Sequence, residues 1–360
     1  METVIAENME TLKGSDAGKY TAGTRAGRIK IGVIGYGYWG PNIVRNFCGN
    51  ENIEVKLVCD ASSHALQRLR KAHPHVNTAT DSLDVLNSAD TDAVAIITPV
   101  SSHFELARKA LEQGKHVFVE KPFTATVAQA EELIELAEKK RLKIMVDHTF
   151  IFSGAVKKMK EIIDNDMLGN IYYYDSTRVN LGLFQNDVNV IWDLAPHDFS
   201  IMDYLIMEKL EAVSACGQAH VNGFEDTAYI TAYFSNKIIA HFNTNWLSPV
   251  KLRTTLVGGE RRMLVWNDLE ADEKLKVYDK GITTKNTEGR HKMLVSYRSG
   301  DVWMPKVEQT EALKAETEHF VECIVKNETP INDGLAGLRV VKMLTACDES
   351  LKQQGGMVKL

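Results

Sequence analysis

Residues 31–48 read Ile31-Gly-Val-Ile-Gly35-Tyr-Gly37-Tyr38-Trp39-Gly40-Pro41-Asn-Ile-Val-Arg-Asn-Phe-Cys48: a short apolar strand, a tight turn carrying three glycines, and the opening of a helix. That order suits the pyrophosphate of a dinucleotide. Gly35 can turn sharply, Gly37 lets the backbone approach a phosphate with no Cβ in the way, and Gly40 lets helix and strand pack closely. The unpaired N–H groups at the start of the helix then face the phosphates. Pro41 fits the first turn, where its missing N–H would be unpaired anyway. Tyr38 and Trp39 lie inside the same turn and count with it as cofactor contacts.

A glycine turn alone is often no more than a flexible turn. Here, however, a second apolar run, Val55-Lys-Leu-Val-Cys59, ends in Asp60, twenty residues past Gly40. A carboxylate there would accept hydrogen bonds from the adenosine ribose hydroxyls and repel a 2′-phosphate, so the cofactor expected is NAD in preference to NADP.

At 360 residues the chain exceeds one ordinary core, and two domains are expected. With 44% apolar residues, 25% charged and a net charge of −6, it has the composition of a soluble globular protein. No basic surplus points to a nucleic-acid partner, and no apolar run approaches the length needed to span a membrane. Cys48, Cys59, Cys216, Cys323 and Cys347 are scattered and odd in number, without Cys-x-x-Cys spacing. They read as reduced residues of a cytoplasmic protein, with neither a metal site nor a disulfide framework. Residues 1–28 lack an apolar signal core and read as a tail, or as an arm that wraps a neighbour or covers the cofactor.

From Asp60 onward helix and strand alternate, as a doubly wound parallel sheet requires. Helices are predicted near Ser62–Ala72, Ser82–Ser88, Ser102–Gln113 and Thr126–Arg141. Strands are predicted at Ala93–Ile97, at His116–Val119 and, as the sixth, at Lys143–Val146. Polar residues that follow such strands point into the ligand crevice, which singles out Thr98-Pro99 and Glu120-Lys121. After Ser153, a candidate N-cap, come a helix to about Asp166, a strand around Ile171–Tyr174 and a helix through Asp198 to Ile206. Alternating strands follow at 228–234, 238–246, 252–257, 263–266 and 275–278, then amphipathic helices at 310–325 and 334–353. The expectation is a mainly antiparallel sheet with one helical face. Its other face, carrying Tyr229, Tyr233 and His241, is too aromatic to be only solvated and is expected to meet another subunit.

The run from Ile97-Thr98-Pro99-Val-Ser-Ser-His103 to Gly114-Lys-His-Val-Phe-Val-Glu120-Lys121-Pro122 is more specific than the glycine turn. It closely resembles the signature of the glucose-fructose oxidoreductase / inositol dehydrogenase / MocA family, and the resemblance extends from about Arg28 to the C-terminus. It implies that Lys121 sits beside the nicotinamide and the reacting hydroxyl, and that Thr98 and His103 line the cofactor. Trp192-Asp193-Leu-Ala-Pro196-His197-Asp198 matches the family's Asp-x-x-x-His element. Spacing by four puts Asp193 and His197 on one helical face. Pro196 is expected where that helix is just beginning.

Oxidising a secondary alcohol needs a base for the hydroxyl proton and a cation for the developing alkoxide. A neutral His197 serves the first need and the Lys121 ammonium the second. Asp193 could orient His197 or hold a neighbouring hydroxyl. Taken singly, His197 could equally be a core histidine, Lys121 a surface lysine balanced by Glu120, and Asp193 a helix cap. Where many family members carry glycine after the sixth strand, this chain has Asp147, followed by His148, a candidate for the substrate or nicotinamide rim and equally a buried structural histidine. Arg178 could fork onto a phosphate or carboxylate of the substrate or form a plain inter-strand ion pair. Asn180 lies just beyond it. The stretch Arg178 to Asp198 resembles the branch of the family found in nucleotide-sugar and polysaccharide biosynthesis, which implies oxidation of a ring hydroxyl, often at C3.

These expectations combine into an α/β protein. Residues 29–150 form a Rossmann domain and 151–360 an α+β domain with an open sheet. The cofactor is NAD, the substrate a sugar or nucleotide sugar, and the assembly a homodimer or homotetramer formed through that sheet. A catabolic polyol or inositol dehydrogenase, or a non-catalytic relative that senses NAD or sugar, would carry many of the same residues.

Overall fold

The computed structural model describes residues 27–182, 184–285 and 294–360, and side chains are considered outside 282–285 and 294–296. The tail expected over 1–28 therefore lies, but for its last two residues, outside the described part. The first half alternates as the apolar runs require: β1 (Ile29–Ile34), α1 (Gly40–Cys48), β2 (Ile53–Cys59), α2 (Ser63–Ala72), β3 (Asn77–Ala79), α3 (Ser82–Leu86), β4 (Ala93–Ile96), α4 (Val100–Glu112), β5 (His116–Val119), α5 (Val127–Lys140) and β6 (Ile144–Val146). All six strands are parallel, in the order β3-β2-β1-β4-β5-β6. The order reverses between β1 and β4, which opens a crevice at their carboxyl ends. The strand to which the pattern assigned no residues is β3, a three-residue edge.

A 3₁₀ turn (Thr149–Phe152) leads into α6 (Gly154–Asp164), capped by Ser153 as expected. Then follow β7 (Ile171–Leu181), α7 (Val190–Leu205), β8 (Leu210–Gln218), β9 (Thr227–Phe234), β10 (Ile239–Asn245), β11 (Leu247–Gly259), β12 (Met263–Asn267), β13 (Leu275–Lys285), β14 (Leu294–Trp303), α8 (Ala312–Lys326), α9 (Gly334–Lys352) and β15 (Val358–Lys359). The nine strands order as β14-β13-β12-β11-β7-β10-β9-β8-β15. Every pair is antiparallel except β7 with β10.

Pro196 departs from expectation. The helix begins at Val190, where the Asn189 side chain accepts from the N–H groups of Ile191 and Trp192, both at 3.1 Å. Pro196 therefore sits inside α7 and offers no N–H to the carbonyl one turn earlier. The two closing helices also return to the first sheet. Phe320 of α8 meets Phe118 of β5 edge-on at 5.7 Å, and Phe118 meets Phe47 of α1 at 5.6 Å. Gly337 of α9 fits so closely that an added Cβ would stand 2.7 Å from Val146 and 3.0 Å from Phe123. Both closing helices thus pack against the first sheet and join the two halves of the chain.

Candidate active site

Gly35 adopts φ +104°, and a Cβ there would lie 2.1 Å from the Ile97 carbonyl oxygen, so only glycine lets β1 and β4 close at the turn. An added Cβ at Gly40 would meet the Gly35 carbonyl at 2.8 Å. Gly37 differs: nothing stands within 4 Å of a Cβ built there, which leaves open space of the kind a phosphate fills. Helices α2, α3 and α5 are capped by the side chains of Ser62, Asp81 and Thr126, whereas α1, with Trp39 at its N-cap, has no side-chain cap. Its free N-terminal N–H groups fit a pyrophosphate. Asp60 accepts from the Tyr36 N–H at 2.6 Å and from the Ser62 N–H at 2.7 Å, which ties this carboxylate to the glycine turn. Tyr38 is exposed. The Trp39 indole donates to Asp147 at 3.1 Å, an anchor the sequence did not disclose.

At the end of β4 the Thr98 hydroxyl pairs with Ser102 at 2.7 Å, and Pro99 is the N-cap of α4. His103 corrects an expectation. It does not line the crevice; it is fully buried, with Nδ1 2.9 Å from the Pro122 carbonyl and Nε2 2.7 Å from the Thr98 carbonyl. It ties the carboxyl end of β4 to the Glu120-Lys121-Pro122 turn, whose Lys121–Pro122 peptide is cis.

Lys121 extends from that turn to α7. Its Nζ donates to the Asp193 carbonyl oxygen at 2.8 Å and lies 3.6 Å from the Asp193 carboxylate. The second carboxylate oxygen accepts from the Trp246 indole at 3.0 Å. Asp193 thus positions Lys121 rather than His197. Trp246 is buried and props this carboxylate from behind; it does not present a stacking face. Asn180 stays partly exposed on β7, with its amide and the Trp246 ring both close to Gly182.

His197, one turn beyond Asp193, packs edge-on against Phe150 at 5.0 Å, and its Nδ1 is buried without a partner. Burial first, then the cations Lys121, Arg178 and Arg253, hold it well below its usual pKa. It is therefore a neutral imidazole, as a proton acceptor must be. Arg178 corrects a second expectation. It forks onto Asp198 at 2.7 and 3.0 Å, is nearly inaccessible, and lies over Phe150 with its guanidinium carbon 4.5 Å from the ring centre. The ion-pair alternative holds, with a partner on α7 in place of a neighbouring strand, and the fork to Asp198 turns the guanidinium away from the role of a substrate-phosphate clamp. His148 is 1% exposed, so it is an inner-wall residue and not part of a rim, and neither ring nitrogen has a partner. With Lys160, Asp203, Tyr204 and Arg339 it lines a cavity of 360 Å³.

These buried groups set a pH dependence of stability. Burial chiefly pushes His148 down to about 3 and His116 to about 4, and His197 shifts the same way. Neutral in the fold but protonated in the unfolded chain below about pH 6.5, each lowers stability as pH falls through that value, by up to about 1.4 kcal/mol per pH unit. Carboxyls act oppositely. Burial and then Asp147 push Glu120 up to about 8, and Glu316 is raised for the same two reasons. Both remain protonated in the fold after the unfolded chain ionises, so their contribution is lost as pH rises above about 4.5. His73, His103 and His319 are lowered too and Asp348 is raised, so six histidines oppose three carboxyls and stability should peak near pH 6.5. Thermal melts across that range should show it, and His148→Phe should flatten the acid limb. An unchanged limb would mean that His148 is not held neutral.

Comparison with known proteins agrees with this geometry. Residues 29–148 match the model of an oxidoreductase family with an NAD-binding Rossmann fold, and residues 160–360 match that family's C-terminal alpha/beta domain. The chain belongs to this family. It is an NAD-binding oxidoreductase, and the cofactor expected from Asp60 and the glycine turn is the family's own. Among curated relatives, UDP-N-acetylglucosamine 3-dehydrogenase of Acidithiobacillus ferrooxidans is 26% identical over 87% of this chain and 94% of its own. The scyllo-inositol 2-dehydrogenase (NAD(+)) of Bacillus subtilis is 25% identical over 85% and 88%. Among solved structures, scyllo-inositol dehydrogenase from Lactobacillus casei with bound NAD(H) and scyllo-inositol superposes with a TM-score of 0.75 at 19% identity, over 92% of this chain and 99% of that one. At that identity the likeness concerns the fold. No described helix is long and apolar enough to cross a membrane.

Proposed function

We propose that this oxidoreductase interconverts a ring hydroxyl and a ring ketone of a nucleotide sugar, in the biosynthesis of polysaccharides or amino sugars. Bound NAD supplies the hydride acceptor. Lys121 carries the reading: its ammonium is fixed by both the carbonyl and the carboxylate of Asp193 at the carboxyl end of β5, next to a neutral His197. His197 takes the hydroxyl proton as the hydride leaves the same carbon, and Lys121 stabilises the oxygen as it gains charge. An imidazolium facing Lys121, Arg178 and Arg253 is disfavoured, so the proton passes on to solvent rather than resting there. Asp193 is the positioning group.

The nucleotide-sugar assignment draws on the near full-length likeness to the UDP-N-acetylglucosamine enzyme. The likeness to an inositol enzyme is about as strong, so the test must separate the two. Reduced-nicotinamide absorbance should rise with UDP-sugars and not with free sugars or inositols. Turnover with inositols alone would favour the polyol reading, and no change with any of them would favour a sensor. The reaction is expected in the cytoplasm.

The open face of the second sheet supports a homo-oligomer. Register places Leu252, Leu256, Ile239 and Tyr229 on one side, all exposed, with Tyr229 stacked on His241. That apolar stripe suits a second copy of itself. Sedimentation should report a dimer or tetramer, and Leu256→Glu with Ile239→Glu should shift it toward monomer.

A further inference from the structure

We propose that Cys48, His73 and His75 form a binding site for one divalent transition metal of the zinc class, at the converging carboxyl ends of α1 and α2. Their three ligand atoms lie within 4.8 Å of one another. A thiolate and two imidazoles are the donors that a borderline cation selects over magnesium or calcium, and a water would complete a tetrahedron. Tetrahedral bonds of that kind separate neighbouring ligand atoms by about 3.3–3.6 Å, so the cluster need close by no more than about 1.5 Å. His75 is exposed and His73 partly so, and rotation of their rings supplies that movement. The two rings already meet edge-on at 6.2 Å across Pro74.

The placement favours a cation for a second reason. Cys48 is the last residue of α1 and His73 is the C-cap of α2, so the negative ends of two helix dipoles point at the cluster. Of the cations in these last turns, Arg45 is paired with the Glu311 carboxylate, while Arg70, which donates to the Thr78 hydroxyl, and Lys71 keep their charge and oppose the metal. Burial pushes the Cys48 thiol up to about 11, so metal must displace a proton from it. Helices that follow parallel strands run back across the sheet. Their carboxyl ends therefore lie at the edge opposite the crevice, and the site is separate from Lys121 and His197.

The test is cobalt and zinc titration of the full chain after chelator treatment. One equivalent of cobalt should bind with the thiolate-to-metal charge-transfer band in the near ultraviolet, and zinc should displace it. Dissociation constants should lie below about 1 µM, and a saturating excess of zinc should raise the melting temperature. Cys48→Ser should abolish the band, and His75→Ala should weaken binding by about 100-fold. Both variants should keep wild-type circular dichroism and turnover. Absence of the band overturns the site, as does zinc binding that both variants retain unchanged, because that metal would be bound adventitiously elsewhere.

Discussion

Lys121→Ala should lower turnover by about 10²–10³-fold, the usual consequence of removing a fixed donor from a developing oxyanion. NAD affinity should stay within a few-fold. The two effects separate because the groups that fit the dinucleotide are Gly35, Gly37, the uncapped start of α1 and Asp60, none of which depends on Lys121. The lysine instead spans from the β5 turn to Asp193, 2.8 Å from its carbonyl oxygen. A second readout distinguishes catalysis from structural support. Lys121 is one of the cations that depress His197, so its loss should raise the imidazole pKa and move the acid limb of the residual pH–rate profile upward. Wild-type turnover in Lys121→Ala, measured at saturating NAD, would remove the lysine from the mechanism.

The first domain was legible because parallel strands buried on both faces are near-continuous apolar runs, each closed by glycine, proline or a capping side chain. Ser62, Thr126 and Ser153 cap the helices they were expected to start or precede. β3 escaped because Asn77-Thr-Ala79 is a half-exposed edge with no apolar run. β8 escaped through its small residues, Leu210-Glu-Ala-Val-Ser-Ala-Cys-Gly-Gln218, and β14 through Arg298, Ser299, Gly300 and Asp301. α7 was expected to start too late because Pro196 is a local signal, whereas the Asn189 cap and the buried neighbours that hold the interior proline are not. Similar reasoning covers the site. Motif spacing located Lys121, Asp193 and His197, but their partners lie far along the chain. Trp246 is 53 residues from Asp193, and Trp39 is 108 from Asp147. Long-range packing brings such pairs together: the second sheet against α7 for Trp246 and Asp193, and the ends of the first sheet's strands for Trp39 and Asp147.

Arg178 is where that missing register changes the chemistry assigned to a residue, and Arg178→Met should show it. Both Arg178 and Asp198 have only 4% of their side-chain surface exposed, and the methionine would leave the carboxylate buried without its partner. Breaking such a pair costs about 3–5 kcal/mol, mostly as the penalty for the uncompensated charge. The stability loss should therefore shrink when that charge is removed too: Arg178→Met with Asp198→Leu should be more stable than Arg178→Met alone. Phe150 ties the same pair to the reaction, since it packs under the Arg178 guanidinium and against the His197 ring. Loss of the cation should accordingly raise the His197 pKa without greatly changing the KM for the sugar. Denaturant unfolding and steady-state kinetics on the three proteins decide the matter. A stable Arg178→Met with a KM raised tenfold or more would mean that the guanidinium leaves Asp198 to meet the substrate. A destabilised variant rescued by Asp198→Leu would mean that the arginine holds β7 to α7, and so holds His197 where it can reach the hydroxyl.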